Sequence, residues 1–148
     1  MGMDLSPKND AVEPEHFTVW SWRPLWDYVC QLIEAPKELH RSGHFNDGHL
    51  IDAKVCKRIH EALEVAIATG RAAQYIAERQ ARLDALPDKV CWLCKGTGAR
   101  TDMVVKDGCN SCGGKGKVRP SATHYQLDVD WLKEFSAFCR DSGGFEIF

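Results

Sequence analysis

Apolar side chains recur at Val55, Cys56, Ile59, Leu63 and Ala66 or Ile67, spaced to form one face of a helix over residues 53–69. Asp52 stands at the N-cap position of that run, and Gly70 stands where a helix C-terminus favours glycine. Residues 71–86 repeat the spacing more thinly, through Ala72, Tyr75, Ile76, Arg79 and Leu83, in a stretch of strong helix formers that Pro87 ends. Two helices joined this tightly are expected to pack antiparallel as a hairpin. Earlier in the chain, Leu25, Val29, Leu32 and Ile33 share a helical face, with Trp26 and Tyr28 flanking it. Pro24 is expected in the first turn of that helix and Pro36 at its stop, with one more turn over 37–41. Phe17, Val19 and Trp20 fit a short strand or an extended lead-in. A last helix over 129–141 has Asp128 as its cap and a broad face of Trp131, Leu132, Phe135, Phe138 and Cys139. Residues 125–127 suit a short strand. Residues 145–148 suit an extended tail, apolar enough that it should be tied to the body. Residues 1–16, with Pro7, Pro14 and mixed charge, suggest an irregular arm. The expected fold is mainly α within the α+β class: a helical body of three to four helices over 17–148, with an insertion at 88–120.

That insertion breaks the helical pattern. The motif C-x-x-C-x-G-x-G occurs twice, as Cys91, Cys94, Gly96, Gly98 and again as Cys109, Cys112, Gly114, Gly116. Two residues between cysteines let one tight turn aim both sulfurs at a single ion, and a second such turn completes a tetrahedral four-thiolate set. The glycines suit a backbone that folds back beneath the metal. Free thiols or two disulfides are the other readings of the same four residues, and the spacing favours zinc, one ion per chain in a structural role. Between the pairs, Met103, Val104 and Val105 are strand-like, and Asp107-Gly108 signals a turn, so a β-hairpin is expected. Such a polar, glycine-rich segment has little core, and the ion would supply its folding energy.

Residues 91–119 resemble the cysteine-rich zinc-binding domain of DnaJ (Hsp40) chaperones, which uses the same repeat. The chaperones carry four repeats and two ions, where this chain has two repeats, and it has neither a His-Pro-Asp J-domain signature nor a Gly/Phe-rich linker. The resemblance therefore implies the metal site on Cys91, Cys94, Cys109 and Cys112, without chaperone activity. The opening MGMD, the stretch WRPLWDY, the loop HFNDG and the ending SGGFEI resemble a family of small bacterial and phage-encoded proteins. That likeness implies a microbial or phage cytoplasmic setting and no particular chemistry.

With 148 residues, 44% of them hydrophobic, the chain is long enough to bury a core, and its formal charge of -2 offers no general attraction to polyanions. Seven cysteines, four of them in a metal pattern and three scattered (Cys30, Cys56, Cys139), suggest a reducing compartment. No signal peptide or membrane span is read. The opening M-G-x-x-x-S match to a myristoylation site has no second anchor and is taken as chance.

Other candidate chemistry is thinner. His40, His44 and His49, with Asp47, are close enough in sequence to share a metal, but a solvated loop is the plainer reading. Cys56 and His60 lie four apart on one helix and could act as nucleophile and base, though no third orienting group is evident. Trp20, Trp22 and Trp26 read as core in preference to a partner-binding face. Within 91–119, Lys95, Arg100, Lys106, Lys115, Lys117 and Arg119 face only Asp102 and Asp107. Four thiolates around a dication return two negative charges, which leaves a mild basic patch. The expected function is a small zinc protein, not an enzyme, whose knuckles support a protein–protein interaction surface, as an accessory or host-interaction factor. Nucleic-acid binding through the basic knuckles is the alternative, and a single aromatic there, Trp92, weighs against it.

Overall fold

A computed structural model describes residues 2–100 and 108–148. They fall into two compact units, Met1–Arg79 with Tyr125–Phe148, and Gln80–His124.

The first unit is a four-stranded antiparallel sheet with helices over one face. Its strands are β1 (Gly2–Pro7), β2 (Glu15–Thr18), β3 (His49–Asp52) and β6 (Gly144–Ile147), in the order β2-β1-β6-β3. Alternation sends Met3, Leu5, Phe17, Ile51, Phe145 and Ile147 into the core. Leu5 pairs with Glu15 on one side and Ile147 on the other, and Ile51 pairs with Phe145. The irregular arm expected over 1–16 is therefore a strand for much of its length, and the expected C-terminal tail is an interior strand. Each contributes only two inward apolar residues, so neither carries a strong local signal.

Three helices cover that face: α1 (Val19–Leu32), α3 (Ala53–Ala68) and α5 (Val129–Asp141). Thr18 caps α1 by accepting from the Ser21 N–H at 3.3 Å, so the helix begins five residues before Pro24. Proline is thus interior to α1 and not in its first turn. Asp52 caps α3 through the Val55 N–H at 2.8 Å, and Cys56, Ile59, Leu63 and Ala66 are buried as the spacing predicts. Asp128 caps α5, which buries Leu132, Phe135, Phe138 and Cys139. The antiparallel partner of α3 is α5, as the crossing contacts His60–Ser136 and Cys56–Ser142 show.

Helix α4 (Arg71–Asp84) does not fold back along α3 as a hairpin. After Gly70, with φ at 78°, it meets α1 instead, where Tyr75 stacks on Tyr28 at 4.3 Å. It buries only Ala72, and its thin stripe could not have competed with the aromatic face of α5 for α3. The short helix α2 (Lys37–Ser42) supplies the turn expected after Pro36. Residues 125–127 form no strand. Tyr125 packs on Trp20, and its carbonyl accepts from Arg79 at 2.7 Å.

Trp22 and Trp26 are fully buried and stacked at 5.3 Å, and Trp22 meets Phe135 edge-on at 5.5 Å. Trp20 is 44% exposed, so two of the three clustered tryptophans are core. No helix among the described residues is long and apolar enough to cross a membrane.

The second unit carries a two-stranded antiparallel ladder, β4 (Lys89–Val90) with β5 (Lys117–Val118), at the base of the two cysteine turns. A 3-10 turn follows at Ser121–His124. The expected strand Met103–Val105 and the Asp107 half of the turn signal lie outside the described residues.

Candidate metal centre

Each cysteine pair sits in a turn that the motif builds locally. In both repeats the second glycine donates its N–H to the second cysteine's sulfur, Gly98 to Cys94 at 3.3 Å and Gly116 to Cys112 at 3.2 Å. The two turns then lock reciprocally. The Cys91 N–H donates to the Gly116 carbonyl and the Cys109 N–H to the Gly98 carbonyl, both at 2.9 Å. All four contacts follow one offset of eighteen residues, so the turns are related by a local pseudo-two-fold axis. The glycines at its centre are required by shape. A Cβ on Gly98 would come within 2.3 Å of the Gly114 carbonyl oxygen, and one on Gly116 within 2.4 Å of that of Gly96.

The result brings Cys91, Cys94, Cys109 and Cys112 together, all buried, with ligand atoms within 4.8 Å of one another. Cys91 and Cys109 sulfurs are 3.8 Å apart, and Cys94 and Cys112 are 3.7 Å apart, so none of the four is in a disulfide. Local electrostatics favour thiolates in part of the set. The Cys94 N–H draws the Cys91 thiol down to about 6 against the push of burial. Burial pushes Cys94 up, but the N–H groups of Gly98 and Gly96 outweigh it and leave that thiol below its ordinary range. Burial pushes Cys109 up to about 11. A four-sulfur cluster pulled both ways is one that a bound dication would bring wholly to thiolate. This cluster could hold a metal ion.

Around it, Trp92 is 76% exposed and Val90 66%. Trp92 borders a groove of about 630 Å³ with Lys89, Lys115 and Lys117. Of the basic residues singled out from sequence, Lys95, Lys115, Lys117 and Arg119 are exposed, and the Arg119 guanidinium is engaged by its neighbours. Arg119 is committed internally: it donates to the carbonyls of Leu83 at 2.9 Å and Leu86 at 2.7 Å and pairs with Asp88 at 2.9 Å. It thereby adds a donor to carbonyls at and just beyond the end of α4. Arg100 donates to Asn110 at 2.9 Å, and Lys106 lies outside the described residues.

The other candidates separate differently from their sequence order. Cys56 does not face His60. Its thiol approaches Cys139 and Ser142, whereas His60 meets Ser136 at 2.9 Å, and Ser136 donates to Glu64 at 2.7 Å. Burial drives the Cys30 thiol up to about 12 with help from Asp27, and burial raises that of Cys139. In the loop, His49 belongs to β3 and Asp47 is exposed, and neither joins His40 and His44. The carboxylate that does join them is Asp27, on α1, with its Oδ1 at 2.7 Å from His40 Nε2 and 3.0 Å from His44 Nε2. Sequence reading missed Asp27 because it precedes the histidines by 13 and 17 residues across a helix–helix turn. The only available hint was its place beside Trp26. Burial pushes the Asp27 carboxyl up, but hydrogen bonds and charge from His44 and His40 outweigh it and hold it below the usual carboxylate range.

Comparison of the chain with protein-family models, with curated proteins and with solved structures finds no match in any of the three.

Proposed function

We propose that residues 80–124 form a zinc-stapled recognition module, in which Cys91, Cys94, Cys109 and Cys112 hold one structural Zn²⁺ and the knuckles carry a protein-binding surface. The sulfur spacing supports the metal reading. Zinc–thiolate bonds of about 2.3 Å place the corners of a tetrahedron about 3.8 Å apart, and the pairs stand at 3.8 and 3.7 Å. Four buried sulfurs would leave no coordination position for water or substrate, so the ion's role is structural. The likeness of the repeat to the DnaJ cysteine-rich domain agrees with this ligand set.

The surface reading rests on Trp92. An exposed indole beside Val90, rimmed by Lys89, Lys115 and Lys117, suits a protein partner with an apolar patch and acidic surroundings. The likeness to small bacterial and phage proteins suggests an accessory or host-interaction factor, in a reducing cytoplasm that keeps the thiols free. The second reading is nucleic acid, since the same groove could stack one base on Trp92 beside three lysines. With Arg100 and Arg119 engaged internally and one aromatic present, that surface is small for a single-strand platform.

Protein exchanged into metal-free buffer should retain one zinc per chain, with sulfur as the only first-shell neighbour in X-ray absorption. A mixed nitrogen and sulfur shell would refute the assignment. Trp92→Ala should keep that zinc and reduce retention of a stoichiometric protein partner from the native cell at least tenfold. Retention abolished by nuclease would transfer the surface to nucleic acid, and retention unchanged in the variant would remove Trp92 from it.

A further inference from the structure

We propose that Asp27, His40 and His44 form a second, separate metal centre, an open one that takes a divalent transition ion of the zinc, cobalt and nickel group. Three observations carry this assignment. First, three donor atoms converge on one point. Asp27 Oδ1 lies 2.7 Å from His40 Nε2 and 3.0 Å from His44 Nε2, and the two Nε2 atoms are 3.3 Å apart. Ligands bound to one ion at about 2.1 Å stand about 2.9 Å apart in an octahedral face and about 3.4 Å apart in a tetrahedral one. Two sides of the triangle, 3.0 and 3.3 Å, fall in that range, and the third, 2.7 Å, lies just short of it. It also uses the same nitrogen of both rings, set edge to face at 89°. Without an ion, the shared oxygen can accept an N–H from each ring, since a carboxylate oxygen has two lone pairs. A dication at the same point would take a lone pair from each of the three atoms instead.

Second, the backbone carrying the histidines is fixed from beneath. Both buried indoles donate to it, Trp26 Nε1 to the His40 carbonyl at 2.9 Å and Trp22 Nε1 to the Gly43 carbonyl at 2.6 Å. Gly43 has no room for a side chain, because a Cβ there would fall 2.1 Å from the Trp26 ring. Asp27 follows Trp26 on α1. One pair of core tryptophans therefore positions all three donors, the kind of support that holds a site's geometry before an ion arrives.

Third, the site is accessible. Asp27 and His40 are about half-exposed, and both border a cavity of about 290 Å³ with Lys37. Two imidazoles and a carboxylate suit borderline ions, and three protein ligands leave positions for water or a small anion. This chemistry differs from that of the closed four-sulfur set, and its ligands all come from the first unit.

The test uses the full chain with zinc already in its cysteine site, titrated with Co²⁺ and followed by calorimetry and by NMR of the imidazoles. One equivalent of Co²⁺ should bind saturably and broaden the His40 and His44 ring signals before those of His16 and His124. Asp27→Asn, which keeps an acceptor for the rings, should weaken binding at least tenfold. His40→Gln with His44→Gln should abolish it, while zinc stays in the cysteines. Conversely, Cys112→Ser should lose the first metal and keep Co²⁺ binding, so the two assignments can fail independently. Absence of saturable binding to the native chain, or equal binding by the double histidine variant, would overturn the proposal and leave Asp27 a hydrogen-bond bridge between helices.

Discussion

The unit formed by Met1–Arg79 and Tyr125–Phe148 buries side chains from a sheet and three helices around Trp22, Trp26, Phe135 and Phe145, whereas in Gln80–His124 the buried cluster is the four cysteines. Among the described residues, only Leu93 and Val118 pack against those sulfurs. Removing a large apolar side chain from water contributes about 1.5–3 kcal/mol, so the first unit has many such contributions and the described residues of the second almost none. Polar turns closed by reciprocal N–H contacts add little apolar burial, so an ion bound by the four sulfurs would supply much of the second unit's stability. One chain thus combines a unit held by apolar burial with a unit whose buried cluster is four sulfurs that could hold a metal ion.

The sharpest way to break that contrast is to remove a sulfur. Cys112→Ser should release the zinc proposed here and unfold residues 80–124 locally, leaving most helical circular dichroism intact. Collapse of the whole chain would show that the ion nucleates both units. Phe135→Ala approaches the contrast from the other side. Loss of a ring that touches Trp22, Phe17 and Phe145 should cost about 3–5 kcal/mol in denaturant unfolding, with zinc content unchanged. Zinc lost from folded Phe135→Ala protein would show that the units are energetically coupled.

Gly98→Ala should have a smaller effect confined to the second unit. Positive φ and a clash with a backbone carbonyl cost on the order of 1–3 kcal/mol, read as faster zinc loss to a chelator with no change in the denaturation of the first unit. The smallest effect concerns pH. Burial, and then the charge of Glu134, raise the Glu15 carboxyl above the ordinary glutamate range. A carboxyl raised on folding costs stability once it ionises, so the penalty is absent at low pH and grows as pH rises through the unfolded and then the folded value. Glu15→Gln should therefore stabilise the first unit at neutral pH, by less than about 0.5 kcal/mol, and match the native chain in acid. Equal stability of the two proteins at all pH values would remove Glu15 from the account.

What was legible in sequence was what neighbouring residues decide. The α3 stripe and its Asp52 cap lie within one stretch, as does each C-x-x-C-x-G-x-G turn, and the structure brings all four named cysteines together. The start of α1 was obscured by a genuine local preference: proline favours first turns, yet Thr18 offered a cap six residues before Pro24, which leaves the proline inside the helix. Contacts between distant segments were not legible. Strand β1 exists because β6 lies beside it, and Leu5 meets Ile147 from the other end of the sequence. Pairing of α3 with α5 in place of α4 depended on the relative apolar area of two helices, which spacing alone does not rank. Asp27 joined His40 and His44 through a turn that Trp22 and Trp26 hold in place, whereas sequence proximity pointed to Asp47.

The adjacency of β1 and β6 also bears on synthesis. Residues 2–7 wait for a neighbour, residues 144–147, that the ribosome makes only after residues 80–124, and Asp4 exchanges both backbone hydrogen bonds with Phe148. During translation, the two cysteine turns can close on each other once Gly116 emerges, because their reciprocal N–H contacts lie between residues already made. The sheet cannot. Until residues 144–147 are released, β1 and β3 both lack their shared partner and present open edges. The nascent chain would therefore carry closed cysteine turns on an unfinished first unit, and the sheet would be completed once residues 144–147 emerge.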